Sequence, residues 1–371
     1  MAAEQGVSRQ TVGGFRVQRL FAVLKRSFLN QAGLLAIIMG FILAAIVVGA
    51  ALDMPTHRSL WAYLPTYMVL MPLAVVCLLL GHALYIIVAI RPRRPLQLFA
   101  HHLRDRFFIL DRIAIALPLL IFIPRFGGAF TLVKAAIPRI DPFTWDPEFV
   151  ELDTFLHFGF QPWELLQPIL GSPFATAIVG WFYSLWFFAL SFVWTWEAFS
   201  LRNPTLRLLF FYSLLLIWII FGVLGAIYFT SAGPAFYGLL IDGTDPFEPL
   251  MDALRSANEQ YSIGALVAQG VLWDNYLMRD VRLGGGISAM PSMHVAMTLL
   301  FALVGWRTAR WLGIILFTYF LIVLIGSVHL GWHYAIDGYV MVPGVLLVWW
   351  FSGWLARRSY PWKPDDVADT H

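Results

Sequence analysis

The chain has 371 residues, of which 60% are apolar and 13% are charged, with a mean hydropathy of +0.73 and a formal net charge of +3. Soluble proteins carry charges at about a quarter of their positions, so this composition excludes a water-soluble globular protein. An aromatic share of 16% excludes a disordered chain as well. Long unbroken apolar runs favour membrane-spanning helices over the alternating strands of an outer-membrane barrel.

A hydropathy window of about 19 residues locates the candidate membrane spans in chain order. There are eight, near Ala32–Leu52, Leu64–Ile90, Phe107–Ile123, Phe174–Ser200, Arg207–Tyr228, Ile287–Trp306, Trp311–His329 and Ala335–Trp354. The predicted fold is therefore all-α, a polytopic membrane bundle of about eight transmembrane helices.

The basic residues predict how these spans are oriented. With a cytoplasmic N-terminus, 17 of the 25 Lys and Arg residues fall in inner segments and seven fall in outer segments. This distribution obeys the positive-inside rule and predicts that both termini are cytoplasmic. The expected location is an inner or plasma membrane.

The spans and the connections between them predict the domain organisation. Residues 1–31 are a cytoplasmic amphipathic lead-in, 32–123 the N-terminal transmembrane helices, 124–172 an outer interfacial segment, 173–356 a membrane core and 357–371 a cytoplasmic tail. Two long connections lie outside, Pro124–Ser172 and Thr230–Gly286. Within them, Phe149–Leu170 and Pro249–Met278 have the apolar periodicity and aromatic content of interfacial or partly re-entrant helices, and we expect them to cap the outer ends of the spans.

Two histidine-containing motifs bracket the hairpin of the sixth and seventh spans. One runs Gly-Gly-Gly-Ile-Ser-Ala-Met-Pro-Ser-Met-His from Gly284 to His294, and the other runs His-Leu-Gly-Trp-His-Tyr-Ala-Ile-Asp from His329 to Asp337. At 1.5 Å per residue the two legs of the hairpin are roughly 20 and 30 Å long, so both motifs return to the same outer side. His294 and His333 are therefore expected to face each other.

The residue types in these motifs suit phosphoryl transfer. Asp337 follows His333 by four residues, so on a helix it shares a face with the histidine and accepts the ring N–H, which raises the nucleophilicity of the other nitrogen. One histidine attacks phosphorus while the other protonates the departing alcohol. The helix start after Pro291 offers free N–H groups to an anion, and the Ser292 hydroxyl adds a donor.

At these residues the sequence resembles a known family. Pro291-Ser292-Met293-His294, followed by His333-x-x-x-Asp337, is similar to the second and third signatures of the type 2 phosphatidic acid phosphatase superfamily, which usually read PSGH and SRxxxxxHxxxD. The resemblance implies a six-helix core and an active site at the extracytoplasmic leaflet. It also implies that His333 is the nucleophile, His294 the general acid and Asp337 the partner of His333, without a cofactor or a metal.

Departures from the family pattern point to a branch and leave the phosphate ligands open. Met293 replaces the usual glycine, Ser327 stands at the place of the third-signature arginine, and no KxxxxxxRP motif occurs. With Ser-Ala-Gly-Pro-Ala-Phe-Tyr at Ser231–Tyr237, these departures resemble the inositol phosphorylceramide synthase branch, which transfers a phospho-alcohol headgroup between lipids. The outer-side candidates for substrate binding are Ser292, His329, Lys134, Arg139, Arg279 and Arg282.

Three questions stay open at the level of sequence. His329, His333 and Asp337 form an HxxxHxxxD ladder, which is also metal-ligand spacing, although we expect His329 to contact substrate phosphate or to orient a neighbour. The glycines Gly284–Gly286 either cradle a phosphate or permit a tight entry to the helix. A transporter or channel that uses the same residues as a proton relay is the alternative function.

The expected partners follow from this interpretation. The substrate is a membrane lipid phosphate ester in the bilayer, and the acceptor is water or a lipid or sugar alcohol. No nucleic acid partner is expected. The lipid backbone and headgroup are not encoded in any motif that we recognise.

Overall fold

The structure is a computed structural model that describes residues 18, 20–140, 143–278, 281 and 284–359. Helices dominate this part of the chain, and it contains no strand. Seven of the described helices are long and apolar enough to cross a membrane. The chain is therefore an integral membrane protein with a polytopic helical fold, as the sequence predicts.

Three long helices form the N-terminal part. They are α1 (Ala32–Ala51), α2 (Thr56–Ile90) and α3 (Leu110–Ile140). A short break at residues 62–63 interrupts α2, and its last turn, Ile86–Ile90, is π-helical. Residues 20–30 are also helical, and the connection from α2 to α3 contains the short helical segments Pro95–His102 and Leu103–Phe107. α3 packs against both α1 and the first turns of α2.

Helix α3 continues well past the predicted end of the third span. The sequence analysis ends that span at Ile123, because Pro124 and Arg125 follow, whereas the helix runs to Ile140. Prolines are tolerated in membrane helices, where neighbouring groups satisfy the freed backbone. The Arg125 guanidinium donates to the carbonyl of Ile121 and stacks over the Trp61 ring, 4.3 Å from its centroid. The first part of the segment predicted at 124–172 is thus a continuation of helix α3.

Two short helices and then two long ones follow. The short helices are α4 (Asp146–Leu156) and α5 (Pro162–Leu170). The long ones are α6 (Pro173–Ala198), which bends at Leu185, and α7 (Pro204–Tyr228), whose segment Ile220–Gly225 is π-helical.

The second long connection also folds into two helices. After the short turns Pro234–Phe236 and Tyr237–Leu240 come α8 (Glu248–Gln260) and α9 (Gly264–Leu277). On α8 the buried residues Leu250, Leu254 and Ala257 lie on one face, as an amphipathic helix requires. They belong to an apolar cluster that also contains Phe149 of α4 and Tyr334. Both connections thus contain helices, as predicted, and these helices pack near the turn that carries His333.

The last three helices form the hairpin predicted from the two histidine motifs and the helix that follows it. They are α10 (Met293–Thr308), α11 (Arg310–His329) and α12 (Ala335–Ser359). The sixth predicted span begins at Ile287, but α10 begins only at Met293 because residues 284–292 form an irregular turn. With 16 residues α10 is about 24 Å long, shorter than a ~30 Å hydrocarbon layer, and it is not among the seven long helices.

Candidate active site

His333 lies in the turn between α11 and α12, and its hydrogen bonds determine the state of its ring. Its Nδ1 atom is 2.8 Å from the carbonyl oxygen of Ala289 and 3.1 Å from Oδ2 of Asp337. Since a carbonyl oxygen only accepts hydrogen bonds, Nδ1 carries the proton and donates it. The neutral ring then has its lone pair on Nε2, which is the atom that a nucleophilic histidine uses.

Asp337 is in the first turn of α12 and is fully buried. One of its oxygens accepts the His333 hydrogen bond, and the other, Oδ1, has no hydrogen-bond partner among the described residues. The four-residue spacing on a helix places the two side chains together, as the sequence analysis expects. A buried carboxylate at this position is able to stabilise a positive charge on the His333 ring.

His294 is the second residue of α10, and aromatic rings hold its imidazole in place. The ring centroids of Tyr183 and Trp186 lie 4.8 and 4.3 Å from that of His294. The His333 centroid is 5.8 Å away. Among the described residues no hydrogen-bond partner is found for the His294 nitrogens, so stacking positions the ring and its nitrogens remain available to a substrate. The hairpin therefore brings the two histidines together, as its predicted geometry requires.

Ser292 is placed as a helix cap. Its side-chain oxygen accepts a hydrogen bond from the backbone N–H of Val295 at 3.4 Å, and the residue is fully buried. An N-cap of this kind satisfies one of the free N–H groups at the start of α10. Ser292 does not line the cavity described below, in contrast to its predicted role as a substrate ligand.

The loop at Ser231–Gly233 joins the two histidine motifs. The backbone N–H of Ala289 donates to the carbonyl of Ser231, and that of Ala235 donates to the carbonyl of Gly331. Gly233 has φ +84°, and a Cβ atom there would lie 2.6 Å from Cβ of Ala289. Only glycine permits this approach, which explains a glycine in the motif that resembles the transferase branch.

Asp146 is the buried acceptor that holds this loop. Its carboxylate accepts hydrogen bonds from four donors at 2.7–2.9 Å, and the residue is fully buried. The donors are the Ser231 hydroxyl, the N–H groups of Ala232 and Gly233, and the Tyr334 hydroxyl. Because Tyr334 follows His333, one carboxylate fastens both the loop and the histidine turn to α4.

Asp153 makes the second attachment of α4, two helical turns after Asp146. Its two oxygens accept the backbone N–H groups of Ala335 and Ile336 at 2.7 and 2.9 Å. These are free N–H groups at the start of α12, where a carboxylate is favoured by the helix dipole. Burial raises the pKa of Asp153 to about 6, with the two N–H groups acting in the opposite direction. Asp153 thus fixes the helix turn that carries Asp337.

A cavity of about 500 Å³ extends from the two histidines into the bundle. Most of its wall is aromatic or aliphatic, which suits a hydrocarbon ligand. The residues that line it include Tyr63, Tyr67, Phe126, Phe130, Thr131, Lys134, Tyr183, Trp186, Trp194, Trp218, Gly284, Gly285, Gly286, His294, Trp332 and His333. Apart from the histidines, the one charged side chain among the described lining residues is Lys134, and no carboxylate lines the cavity there.

Lys134 is the predicted phosphate ligand that the structure brings to the cavity. No described residue forms a hydrogen bond or ion pair with its ammonium group, and the residue lines the cavity together with His294. Gly286, with φ +93°, lies against it, since a Cβ atom there would be 2.9 Å from the Lys134 carbonyl carbon. The glycines thus allow the turn before α10 to lie close to α3 and to line the cavity as well.

The other predicted ligands lie elsewhere. His329 is buried away from the cavity, and its Nε2 is 3.0 Å from the Thr176 hydroxyl. Arg139 is exposed and donates to the carbonyl of Leu52 at 3.4 Å. Neither side chain lines the cavity that contains His294 and His333, and His329 contacts Thr176 instead. Arg279 and Arg282 lie outside the described residues.

The HxxxHxxxD ladder is not assembled into a ligand set. His329 pairs with Thr176, whereas His333 pairs with Asp337 and Ala289. Within the described ranges no group of three or more His, Cys, Asp or Glu side chains is arranged to hold a metal ion.

Sequence reasoning missed Asp146, Asp153 and Tyr63. The two aspartates had a detectable signal, because their seven-residue spacing puts them on one face of a helix together with Phe149, although the predicted helix begins only at Phe149. Tyr63 carried no such signal, since a tyrosine near the end of a membrane span is ordinarily an interfacial anchor.

A family model described as the PAP2 superfamily matches residues 147–352, which is more than half of the chain. No curated protein and no solved structure matches the chain. The matched range includes His294, His333 and Asp337 and leaves α1, α2 and α3 outside.

Proposed function

The chain belongs to the PAP2 superfamily, and on that premise we propose that it transfers the phosphoryl group of a lipid phosphate ester through a phosphohistidine at His333. Membership supports a phosphatase or phosphotransferase activity in general. One observation carries the specific proposal: His333, with its lone pair on Nε2, and His294 line a single apolar cavity with their rings 5.8 Å apart.

In the first step Nε2 of His333 attacks phosphorus. The N–P bond forms while the P–O bond to the lipid alcohol breaks, and the ring becomes positively charged. Ala289 and Asp337 hold the Nδ1 proton at 2.8 and 3.1 Å, so the ring keeps the required tautomer throughout. The buried Asp337 carboxylate stabilises the developing charge, because electrostatic interactions are strong where water is excluded.

His294 is the general acid and then the general base. In its protonated form it gives a proton to the departing alcohol oxygen. In the second step an acceptor hydroxyl attacks the phosphohistidine, its proton passes to His294, and the N–P bond breaks. The acceptor is water in a phosphatase and a lipid or sugar alcohol in a transferase, so both activities share the first step.

Lys134 supplies the positive charge for the phosphate. The family arginine is replaced by Ser327, whose hydroxyl donates to the Leu324 carbonyl and does not line the cavity. Lys134 reaches the cavity from α3 and has no partner among the described residues, so its charge is available to an anion. We propose that this lysine takes the role of the missing family cation.

The apolar cavity supports a lipid as the substrate. Aromatic side chains such as Phe130, Trp194 and Trp218 offer a hydrocarbon chain an environment similar to the bilayer. The distribution of basic residues supports an active site on the extracytoplasmic side, with both termini cytoplasmic in an inner or plasma membrane. The Ser231–Tyr237 motif favours headgroup transfer of the inositol phosphorylceramide synthase type.

The test uses detergent-purified protein, EDTA, and phospholipids and polyprenyl phosphates labelled in the phosphate. Wild type is compared with His333→Ala and with His82→Gln, a control in α2 whose ring contacts His102 instead of the cavity. We expect turnover by wild type and by the control, and a loss of at least about a thousandfold in His333→Ala. Label released as phosphate identifies a phosphatase, and label moved to an added alcohol or ceramide identifies a transferase.

Three outcomes contradict the proposal. Full activity of His333→Ala excludes the phosphohistidine. Absence of turnover on every lipid leaves the proton-relay alternative, in which the same residues serve transport. Inhibition by EDTA points to a metal-dependent reaction in place of the mechanism above.

A further inference from the structure

Tyr63 has a hydrogen-bonding pattern that leaves its hydroxyl proton free for a ligand. The residue lies in the break of α2, is 8% exposed and lines the cavity. Its oxygen accepts the backbone N–H of Gly284 at 3.2 Å and the hydroxyl of Thr131 at 3.1 Å. A phenol oxygen has two acceptor positions, so both are filled. Among the described residues no acceptor is found for the proton of Tyr63 itself.

This hydroxyl is close to the positive charge of the cavity. Thr131 precedes Lys134 by three residues on α3, so the two side chains share a face of that helix. The glycine turn touches both helices, through Gly284 at Tyr63 and through Gly286 at Lys134. Tyr63, Lys134 and the turn therefore form one polar patch in a wall that is otherwise apolar.

The chemistry of this polar patch selects the type of ligand. Lys134 is a cation without a partner among the described residues, and Tyr63 has a donor without an acceptor. No carboxylate among the described lining residues offsets the positive charge. Such a patch favours oxygen atoms that carry negative charge over a cationic headgroup or a bare hydroxyl group.

We propose that Tyr63 is a substrate-binding residue that donates its hydroxyl proton to a phosphate oxygen of the lipid. The inference rests on the proposed function for the identity of that lipid as the molecule whose phosphorus His333 attacks. The two donors to the Tyr63 oxygen polarise its O–H bond and hold it in place, because chained hydrogen bonds strengthen one another. No reorganisation is then needed when the phosphate arrives.

Tyr63 and Lys134 lie in a part of the chain that the family model does not cover. Tyr63 and Lys134 both precede the family match at residues 147–352. The phosphate is thus held by helices that the family match does not include, whereas the reacting histidines lie within it. The N-terminal helices therefore select the phosphate form of the lipid for the family residues to act on.

Binding to protein that carries His333→Ala tests this directly, since no turnover interferes. The probes are phosphatidic acid and the diacylglycerol of the same acyl composition, both in detergent micelles, and orthophosphate dissolved in the same buffer. We expect Tyr63→Phe to weaken binding of phosphatidic acid by about tenfold, as for the loss of one hydrogen bond to a charged group, and to leave diacylglycerol binding unchanged. Weaker binding of orthophosphate than of phosphatidic acid identifies a lipid phosphate as the ligand, and equal binding overturns that assignment.

Two controls separate the hydroxyl proton from the packing of the wall. Tyr85→Phe makes the same substitution at an exposed position of α2 and is expected to change neither affinity. Thr131→Val removes a donor to Tyr63 but leaves the phenol in place, so its effect should be clearly smaller than that of Tyr63→Phe. Three results overturn the inference. The first is an equal loss of affinity in Thr131→Val and Tyr63→Phe, and the second is an equal loss of affinity for phosphatidic acid and diacylglycerol in Tyr63→Phe. The third is the absence of a preference for phosphatidic acid over diacylglycerol in protein that has Tyr63.

The two proposals fail in distinguishable ways. Absence of His333-dependent turnover in the wild type contradicts the proposed function, while a selective loss of phosphatidic acid binding in Tyr63→Phe still supports the role of Tyr63. Turnover with unchanged binding in Tyr63→Phe contradicts the role of Tyr63 and leaves the reaction intact.

Discussion

The family-matched part of the chain and helices α2 and α3 before it contribute different side chains to one cavity. The matched part supplies His294 and His333, for which we propose the chemical step, and holds them with hydrogen bonds and stacked rings. The preceding helices supply Tyr63 and Lys134, whose donors have no acceptor among the described residues. In the first region, contacts within the chain hold the rings of His294 and His333 in place, and in the second, the donors of Tyr63 and Lys134 are available to a ligand.

This difference shows that a family motif identifies the reacting groups but not the groups that bind the substrate. Groups that react must keep a fixed geometry, so they rest on short-range contacts that a motif can encode, such as His333 with Asp337. Groups that recognise a substrate only need to reach the cavity, and a lysine on another helix does this as well as an arginine within the motif. Substitutions in the two regions should therefore separate the chemical step from binding.

The largest effect is expected within the matched region. Asp337→Asn removes the carboxylate that stabilises the charged His333 ring, but the Ala289 carbonyl still holds the Nδ1 proton. The loss of kcat should therefore be about 10³-fold, short of the ~10⁴-fold seen where the tautomer itself is lost. Steady-state kinetics with a labelled lipid phosphate measure it, and KM should change little. A large rise in KM with normal kcat in Asp337→Asn contradicts the assignment of the chemical step to the matched region and of binding to the helices before it.

A smaller effect is expected from the region before the match. Lys134→Met removes a charge that stabilises the phosphate and should lower kcat/KM by about 10²-fold. Arg139→Gln is the matched control, because this residue is exposed on the same helix and contacts the Leu52 carbonyl. Equal effects of the two substitutions in the same kinetic assay would mean that the net charge of α3 matters and the placement of Lys134 does not.

Most of the fold follows from the sequence, because hydrophobic length and basic-residue bias constrain a membrane protein strongly. The exceptions have local causes. α3 extends to Ile140 because a membrane helix tolerates Pro124, which a sequence pattern marks as a boundary. α10 begins at Met293 because the glycine-rich turn, although uncharged, packs against α3 instead of extending the helix.

The site is predictable only where its members share a helix or a hairpin. His294, His333 and Asp337 meet through the geometry of two legs and one helical turn, which spacing alone predicts. Lys134 and Tyr63 reach the cavity through packing between distant helices, and no spacing encodes such an approach. For the same reason the sequence could not distinguish Lys134 from Arg139, although one lines the cavity and the other does not.

Asp146 attaches α4 to the Ser231–Gly233 loop and to the turn that carries His333, so replacing it is expected to lower the stability of the protein. Asp146→Asn replaces a carboxylate that accepts four hydrogen bonds with an amide that has one acceptor oxygen. Buried donors left without partners should lower the free energy of unfolding by about 4 kcal/mol. The apparent Tm in detergent measures this, with the exposed Glu148→Gln on the same helix as the control. A Tm equal to that of the control contradicts the role of Asp146 as the anchor of the loop.

The smallest expected effect is the pH dependence of stability that comes from Asp153, the residue that attaches α4 to α12. Burial raises the pKa of Asp153 to about 6, above the ~3.9 of an unfolded chain. The folded state therefore binds this proton more tightly, and the stability from the group is complete below about pH 4 and lost as pH rises through about 6.

The Tm of the wild type should fall between about pH 4 and about pH 7 by an amount that reflects at most ~3 kcal/mol, and Asp153→Asn should show a shallower fall because an amide does not ionise. The difference between the two slopes isolates Asp153 from every other titrating group. Identical slopes would mean that the N–H groups of Ala335 and Ile336 offset the effect of burial fully. A shallower slope in the variant means that the Asp153 carboxylate, whose charge is costly to bury, holds α12 and Asp337 with it. The position of the turn that carries His333 then depends on pH through Asp153, which does not line the cavity.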